Sequence, residues 1–189
     1  TDAMYDAAVR VVADTRRWME WSLGGDESPL LERCFAWLEE HWPEHEPSAV
    51  VSWGDARIGN VMFDDYRPVA VLDWEMAALG PREIDLAWMI FLHRFFDDLA
   101  VQFGLPGMPD FMRRDRVEAM YADATGYTPT DMDWYLLYAA TRHGIVFTRT
   151  SRRAVHFDDE VMPDDPDDVI MHRTSIEAML DGTYWESRR

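Results

Sequence analysis

The sequence predicts an α+β fold that is mostly α, with a small β-hairpin region inserted after two helices. Three observations carry this reading. Apolar residues recur at helical spacing over most of the 189 residues. The only apolar, β-branched runs bounded by turn formers lie between Ala49 and Leu72. The length suits one domain or one large lobe with a real core, and 48% hydrophobic with 13% aromatic residues is a globular composition.

Each element follows from local pattern. From Tyr5 to Trp21, Ala8, Val12, Trp18 and Met19 share one broad helical face, and Gly24-Gly25 ends the helix. Ser28-Pro29 reads as an N-cap followed by proline at the first helical position. The next helix, Leu30 to Trp42, carries Leu31, Cys34, Phe35 and Leu38 on one side, and a polar loop runs from Pro43 to Pro47. Ala49 to Trp53 is a short strand. Val61 to Phe63 and Val69 to Leu72 are two more, joined by the turn-rich Asp64-Asp65-Tyr66-Arg67-Pro68. Antiparallel pairing with Asp64 opposite Val69 sets Asn60 opposite Asp73. From Glu83 to about Leu99 the pattern is helical, with Ile84, Ala87, Trp88 and Phe91 on the apolar face. Residues 104–109 form a loop. Asp110 caps a helix to Thr125, which Gly126 closes. Thr130 or Asp131 opens a long helix to about Ser151, the acidic stretch Phe157 to Asp168 reads as a solvated loop, and a last helix covers Val169 to Leu180.

Composition narrows the function. The net charge of −18 argues against DNA or RNA, whose affinity comes largely from basic side chains on phosphates. It suits a cationic small molecule, which an acidic cleft concentrates. The longest apolar run, Leu86 to Leu92, is far below the roughly 20 residues that span a bilayer, so no membrane partner is expected. One cysteine, on a helical apolar face, reads as a buried inert thiol. With no basic-then-apolar opening segment, it favours a cytoplasmic protein. The six histidines have no metal-ligand spacing: His41, His45, His93, His143, His156 and His172 are scattered. All 18 basic residues among Lys and Arg are Arg, so no lysine can anchor a nucleotide.

The stretch from Ser52 to Glu75 carries the chemistry. Asp55 and Asn60 stand with four residues between them, and Asp73 follows the second strand of the hairpin. An acid, an amide and a second acid in that order are what phosphoryl transfer needs: a base for the acceptor hydroxyl and two oxygen ligands for Mg²⁺. A lone Asp would read as a turn cap and a lone Asn as a turn amide. The companions in order favour a site.

Trp53-Gly-Asp-Ala-Arg-Ile-Gly-Asn60, Val71-Leu-Asp-Trp-Glu75 and Asp85-Leu-Ala87 closely resemble the motifs of the aminoglycoside phosphotransferase/choline kinase family. The resemblance covers essentially the whole chain. It implies the helical C-terminal lobe of a protein-kinase-like fold, with the hairpin region carrying the catalytic loop. It implies Asp55 as catalytic base, Asn60 and Asp73 as Mg²⁺ ligands, and Asp85 as the acid that braces the catalytic loop. Glu75 would stand behind the metal ligands. Arg57 would contact the γ-phosphate, with an ion pair to a nearby carboxylate as the other reading. ATP or GTP would be the phosphoryl donor and a small-molecule hydroxyl the acceptor. Related domains occur fused to acyl-CoA dehydrogenases.

Two positions depart from the family pattern. Trp53 and Arg57 stand where the family commonly has histidines, which marks a distinct subfamily and weakens any assignment of an antibiotic substrate. No Gly-rich loop followed by a strand lysine exists in the chain. Residues 1–189 are therefore expected to be a single C-terminal catalytic and metal lobe, with the nucleotide-gripping N-terminal lobe absent and the lobe alone inactive. The competing readings are a pseudokinase-like ligand-binding module of the same fold and a metal-dependent phosphoesterase. Retention of Asp55, Asn60 and Asp73 favours transfer over the first, and the lack of a two-metal His/Asp cluster disfavours the second. The acceptor's identity, the choice of ATP or GTP and the oligomeric state are not written in the sequence.

Overall fold

The computed structural model describes the backbone of residues 2–43 and 48–184, and the side chains of residues 9–43 and 48–184. Ala8, His45 and Pro47 of the sequence reading lie outside the described side chains. The elements in chain order are α1 (Asp2–Leu23), α2 (Pro29–Glu40), β1 (Val50–Ser52), β2 (Val61–Asp64), β3 (Arg67–Val71), β4 (Ala78–Gly80), α3 (Glu83–Gln102), α4 (Arg114–Thr125), α5 (Met132–His156) and α6 (Arg173–Leu180). Short 3₁₀ turns precede β2, at Ile58–Asn60, and α6, at Pro166–Val169. The α+β, mostly helical class is as expected. The chain divides into two compact units: Thr1–Ala7 with His45–Leu136, and Ala8–Glu44 with Leu137–Arg189.

In the first unit, α3 supplies the core. Its expected face of Ile84, Ala87, Trp88 and Phe91 is buried, joined by Leu92 and Phe95. Two antiparallel two-stranded sheets stand beside it in the chain. β2 and β3 form the expected hairpin. β1 pairs with β4, Val51 opposite Leu79. Sequence pattern gave no sign of β4, because three residues, Ala-Leu-Gly, are too few to show a period.

The hairpin register differs from the expected one. Asp64 faces Arg67 rather than Val69, and a bulge between Met62 and Phe63 leaves Val61 opposite Val71. The turn is two residues long. Asp65 and Tyr66 take φ of 46° and 61°, the left-handed pair of a tight hairpin turn that follows strand twist. Continued one step, this register sets Asn60 against Leu72, and the Leu72 N–H donates to the Asn60 carbonyl at 2.8 Å. Asp73 lies one residue beyond its expected pairing.

The second unit packs α2 against α6 and α5. Leu30, Leu31, Cys34, Phe35 and Leu38 are buried on α2, which matches the expected face and adds Leu30. Gly144 of α5 permits close approach: a Cβ there would come within 2.9 Å of Leu31 Cδ2. Ser28 caps α2, accepting from the Leu31 N–H, with proline next as expected. Burial pushes the Cys34 thiol up to about 12, so it is inert at neutral pH. The acidic stretch before α6 is not wholly solvated. Asp167 is 3% exposed, and its carboxylate accepts from the Ser28 hydroxyl and, at 2.8 Å, from the Leu30 N–H. A carboxylate at a helix N-terminus satisfies orphan donors and the helix dipole together.

Three helix boundaries also shift. α4 begins at Arg114 rather than Asp110, because Met112 has φ of 51° and cannot lie in a right-handed helix. Gly126 closes it in the left-handed region, φ 72°, as expected. α5 runs on to His156, with Arg153 and His156 in the last turn where positive charge opposes the dipole. α6 starts at Arg173, later than Val169, because the 3₁₀ turn Pro166–Val169 stands in the expected first turn.

Candidate active site

The loop from Ser52 to Asn60 is built around two carboxylates of the first unit. Asp85, in the first turn of α3, takes three donors from the loop's start. Its Oδ1 accepts from Ser52 Oγ at 2.9 Å and from the Gly54 N–H at 2.8 Å. Its Oδ2 accepts from the Trp53 N–H at 2.7 Å. Gly54 sits at φ +87°, and a Cβ there would lie 2.3 Å from the Met76 carbonyl oxygen. Only glycine lets this loop approach residues 72–77 so closely.

Asp55 is the second carboxylate, and it is held by side chains. Trp88 Nε1 donates to its Oδ1 at 2.7 Å. Asn60 Nδ2 donates to its Oδ2 at 2.7 Å, and Arg57 Nε does so at 3.1 Å. Burial pulls the Asp55 carboxyl upward, but hydrogen bonds from Trp88, Arg57 and Asn60 outweigh it and leave the group below the usual carboxylate range. It is therefore ionised at neutral pH. Asn60 is 6% exposed. Its amide nitrogen is engaged by Asp55, which leaves the amide oxygen as the atom that can meet a cation.

Residues 72–77 run past this loop. Asp73 takes φ of 64° and is exposed, as is Glu75. Trp53 reaches across, its Nε1–H donating to the carbonyls of Leu72 at 2.8 Å and Asp73 at 3.1 Å. The structure thus joins Asp55, Arg57 and Asn60 through direct hydrogen bonds and links the Asp73 backbone to the same loop through Trp53. Asp85 lies behind the loop rather than in the open site. No contact of Glu75 with the others was found among the described residues.

Sequence reasoning missed Trp88, which it took only as core. The signal was present: a buried indole N–H needs an acceptor, and Trp88 stands three residues after Asp85 on the same helix. One turn of α3 therefore holds four successive residues of the loop, Ser52 to Asp55.

A mostly helical α+β fold that carries Asp55, Asn60 and Asp73 on a loop and hairpin points to a class of protein. Residues 5–135 match the model of the phosphotransferase enzyme family, APH. That is more than half of the chain, and the chain belongs to this family. It is 26% identical to acyl-CoA dehydrogenase family member 10 of Mus musculus over 140 residues, which cover 67% of this chain and 12% of that protein. It is 33% identical to acyl-CoA dehydrogenase family member 11 of Homo sapiens over 61 residues, 31% of this chain and 8% of that protein. The chain spans a small part of the length of these curated relatives. A solved structure described as a "putative aminoglycoside phosphotransferase" from Ralstonia eutropha has the same fold, with a TM-score of 0.68 at 22% identity over 95% of this chain and 56% of that one. No helix among the described residues is long and apolar enough to cross a membrane.

Proposed function

We propose that this chain is the catalytic and metal-binding part of a kinase that moves the γ-phosphoryl group of ATP or GTP to a hydroxyl of a small molecule. The observation that carries the proposal is the Asp55 carboxylate, ionised and fixed by Trp88, Asn60 and Arg57 on a loop that Asp85 braces. Family membership supports the reaction class.

Asp55 Oδ1 takes one donor, and a carboxylate oxygen accepts two. The free direction can receive the acceptor hydroxyl, orient its oxygen towards the γ-phosphorus and take its proton. The new O–P bond forms as the bond to the bridging oxygen breaks and the nucleoside diphosphate leaves. A carboxylate of lowered pKa is a weak base. That is compatible with phosphoryl transfer, where the transition state is loose and orientation matters more than early proton removal. Arg57 neutralises Asp55 in the resting site and is close enough in the chain to turn to a phosphate as a planar donor.

The donor set fits Mg²⁺. The Asn60 amide oxygen and the Asp73 carboxylate are hard oxygens of the kind it takes. Among the described residues no group of three or more His, Cys, Asp or Glu could hold a metal. Asn60 and Asp73 would therefore share the ion with phosphate oxygens and water. When bound, Mg²⁺ supplies charge neutralisation at the phosphates. The chain has no lysine, so the cation that grips the nucleotide's other phosphates would come from further protein, and residues 1–189 alone would not turn over.

Titrating Mg-nucleotide into the whole protein and into an Asp73→Ala variant tests the metal assignment. Binding should weaken by at least about tenfold, as for loss of a charged ligand worth over ~1.4 kcal/mol. Equal affinity would remove Asp73 from the metal site.

A further inference from the structure

Asp73 has a backbone that needs holding. Its φ of 64° lies in the left-handed region, uncommon for a residue with a side chain though open to Asp, so the peptide planes on either side decide where its carboxylate points. Burial cannot hold those planes, because residues 71–79 are all exposed. The β3 ladder ends at Val71.

Trp53 supplies it. Its indole N–H donates to the Leu72 carbonyl at 2.8 Å and to the Asp73 carbonyl at 3.1 Å. The first carbonyl belongs to the peptide entering Asp73 and the second to the peptide leaving it. One donor shared between them fixes the planes on both sides of a single Cα, and so fixes φ and ψ of Asp73. The donor is itself anchored. The Trp53 main-chain N–H is bound to Asp85 Oδ2 at 2.7 Å, and Ser52 and Gly54 on either side bind Asp85 Oδ1. The Trp74 ring lies 6.0 Å from that of Trp53, and its own Nε1–H donates to the Val71 carbonyl at 2.9 Å.

We propose that Trp53 is a positioning residue: its indole N–H clamps the two peptide planes of Asp73, and thereby sets where the Asp73 carboxylate stands relative to Asp55 and Asn60. The clamp rests on geometry. Its consequence for Mg²⁺ rests on the phosphotransferase reading above. The clamp also accounts for a tryptophan standing where the family resemblance led us to expect histidine. Indole Nε1 and imidazole Nε2 are each two bonds from Cγ in a five-membered ring, so either side chain can present an N–H at the same reach. What the position requires is the donor, not proton chemistry.

Two variants separate the donor from the ring. Trp53→Phe keeps an aromatic ring without N–H, and Trp53→His restores a donor. In nitrogen-15 NMR spectra of the whole protein without metal, Trp53→Phe should shift the amides of Leu72, Asp73 and Trp74 most, and Trp53→His should return them towards wild type. Unchanged amides in the Phe variant would overturn the clamp. In the whole protein, Trp53→Phe should raise the Mg²⁺ concentration for half-maximal transfer on the order of tenfold, leave the acceptor KM unchanged, and be rescued by Trp53→His. A lower rate at all Mg²⁺ concentrations with unchanged half-saturation would overturn the positioning role. If Trp53→Phe does not fold, Trp53→His decides alone: wild-type-like Asp73 amides uphold the clamp, and displaced ones overturn it. Transfer that survives Asp55→Asn would instead sink the phosphotransferase reading, while the NMR comparison would still judge the clamp.

Discussion

Asp167 in the second unit and Asp85 in the first do similar work, and Asp55 beside the latter does not. Asp167 takes a serine hydroxyl and a backbone N–H at the start of α2. Asp85 takes a serine hydroxyl and two backbone N–H groups at the start of the Ser52–Asn60 loop. Both use their oxygens to fix backbone. Among the described residues the Asp55 carboxylate takes only side-chain donors, from Trp88, Asn60 and Arg57. Side-chain donors can swing aside or exchange partners, whereas backbone donors cannot without local unfolding. Asp85 and Asp167 thus fix backbone, and Asp55 is itself fixed by side chains.

The same contrast holds at the level of the two units. The second unit buries Leu31, Phe35, Leu38, Ile145, Ile176 and Met179 on α2, α5 and α6, and its exposed apolar residues, among them Trp21, Phe157, Val161 and Met171, are spread along the chain. The first leaves Val51, Met62, Phe63, Val69, Trp74, Met76 and Leu79 exposed around its hairpin and loop. The buried apolar residues lie mainly on helices, and short strands and turns carry these exposed ones.

The comparison can be broken most directly at Asp85. Replacement by Ala strands one hydroxyl and two backbone donors, and should cost about 3 kcal/mol of folding stability together with all activity. A loss below about 1 kcal/mol in urea denaturation would show that the loop holds itself. Asp167→Ala should cost about 2 kcal/mol by the same measurement. It should leave Mg-nucleotide affinity untouched, and a change in that affinity would erase the distinction between fold and site carboxylates.

Asp55 should show a different pH signature. Its carboxyl lies below the usual range when folded, so its ionised form stabilises the folded state above the unfolded value of about 3.9. That contribution is lost as pH falls through the folded value. The stability difference between wild type and Asp55→Asn should therefore be constant from neutral pH down to about 5 and shrink below it. A difference that grows on acidification would reverse the sign of the shift. The smallest expected effect is at the hairpin tip. Tyr66 is 95% exposed at φ 61°, so Tyr66→Gly should stabilise by about 0.5 kcal/mol in thermal unfolding, and a loss would indicate that Tyr66 makes contacts beyond the turn.

What the sequence revealed was local. Ser28-Pro29 at the start of α2, the Ile84–Phe91 face of α3 and Gly126 after α4 are each specified by residues within one or two turns. The order Asp55, Asn60, Asp73 was legible as a motif, and the structure bonds the first two directly through the Asn60 amide and the Asp55 carboxylate. What stayed hidden depended on backbone conformations or partners far along the chain. The register turned on Asp65 and Tyr66 both entering the left-handed region without a glycine to announce it. The start of α4 turned on Met112 doing the same. Asp167 looked solvated because its partner Ser28 lies 139 residues away. Trp88 looked like core because its acceptor, Asp55, is 33 residues away.

Under the proposed function, Asp55 orients and deprotonates an acceptor hydroxyl. The direct measurement is transfer of γ-labelled phosphate by the whole protein and by its Asp55→Asn variant, across a panel of small hydroxyl compounds. For the acceptor that wild type phosphorylates, the variant should lose roughly 10²–10⁴-fold in kcat with nucleotide affinity and folding retained. Transfer at the wild-type rate would contradict the assignment of Asp55 as base.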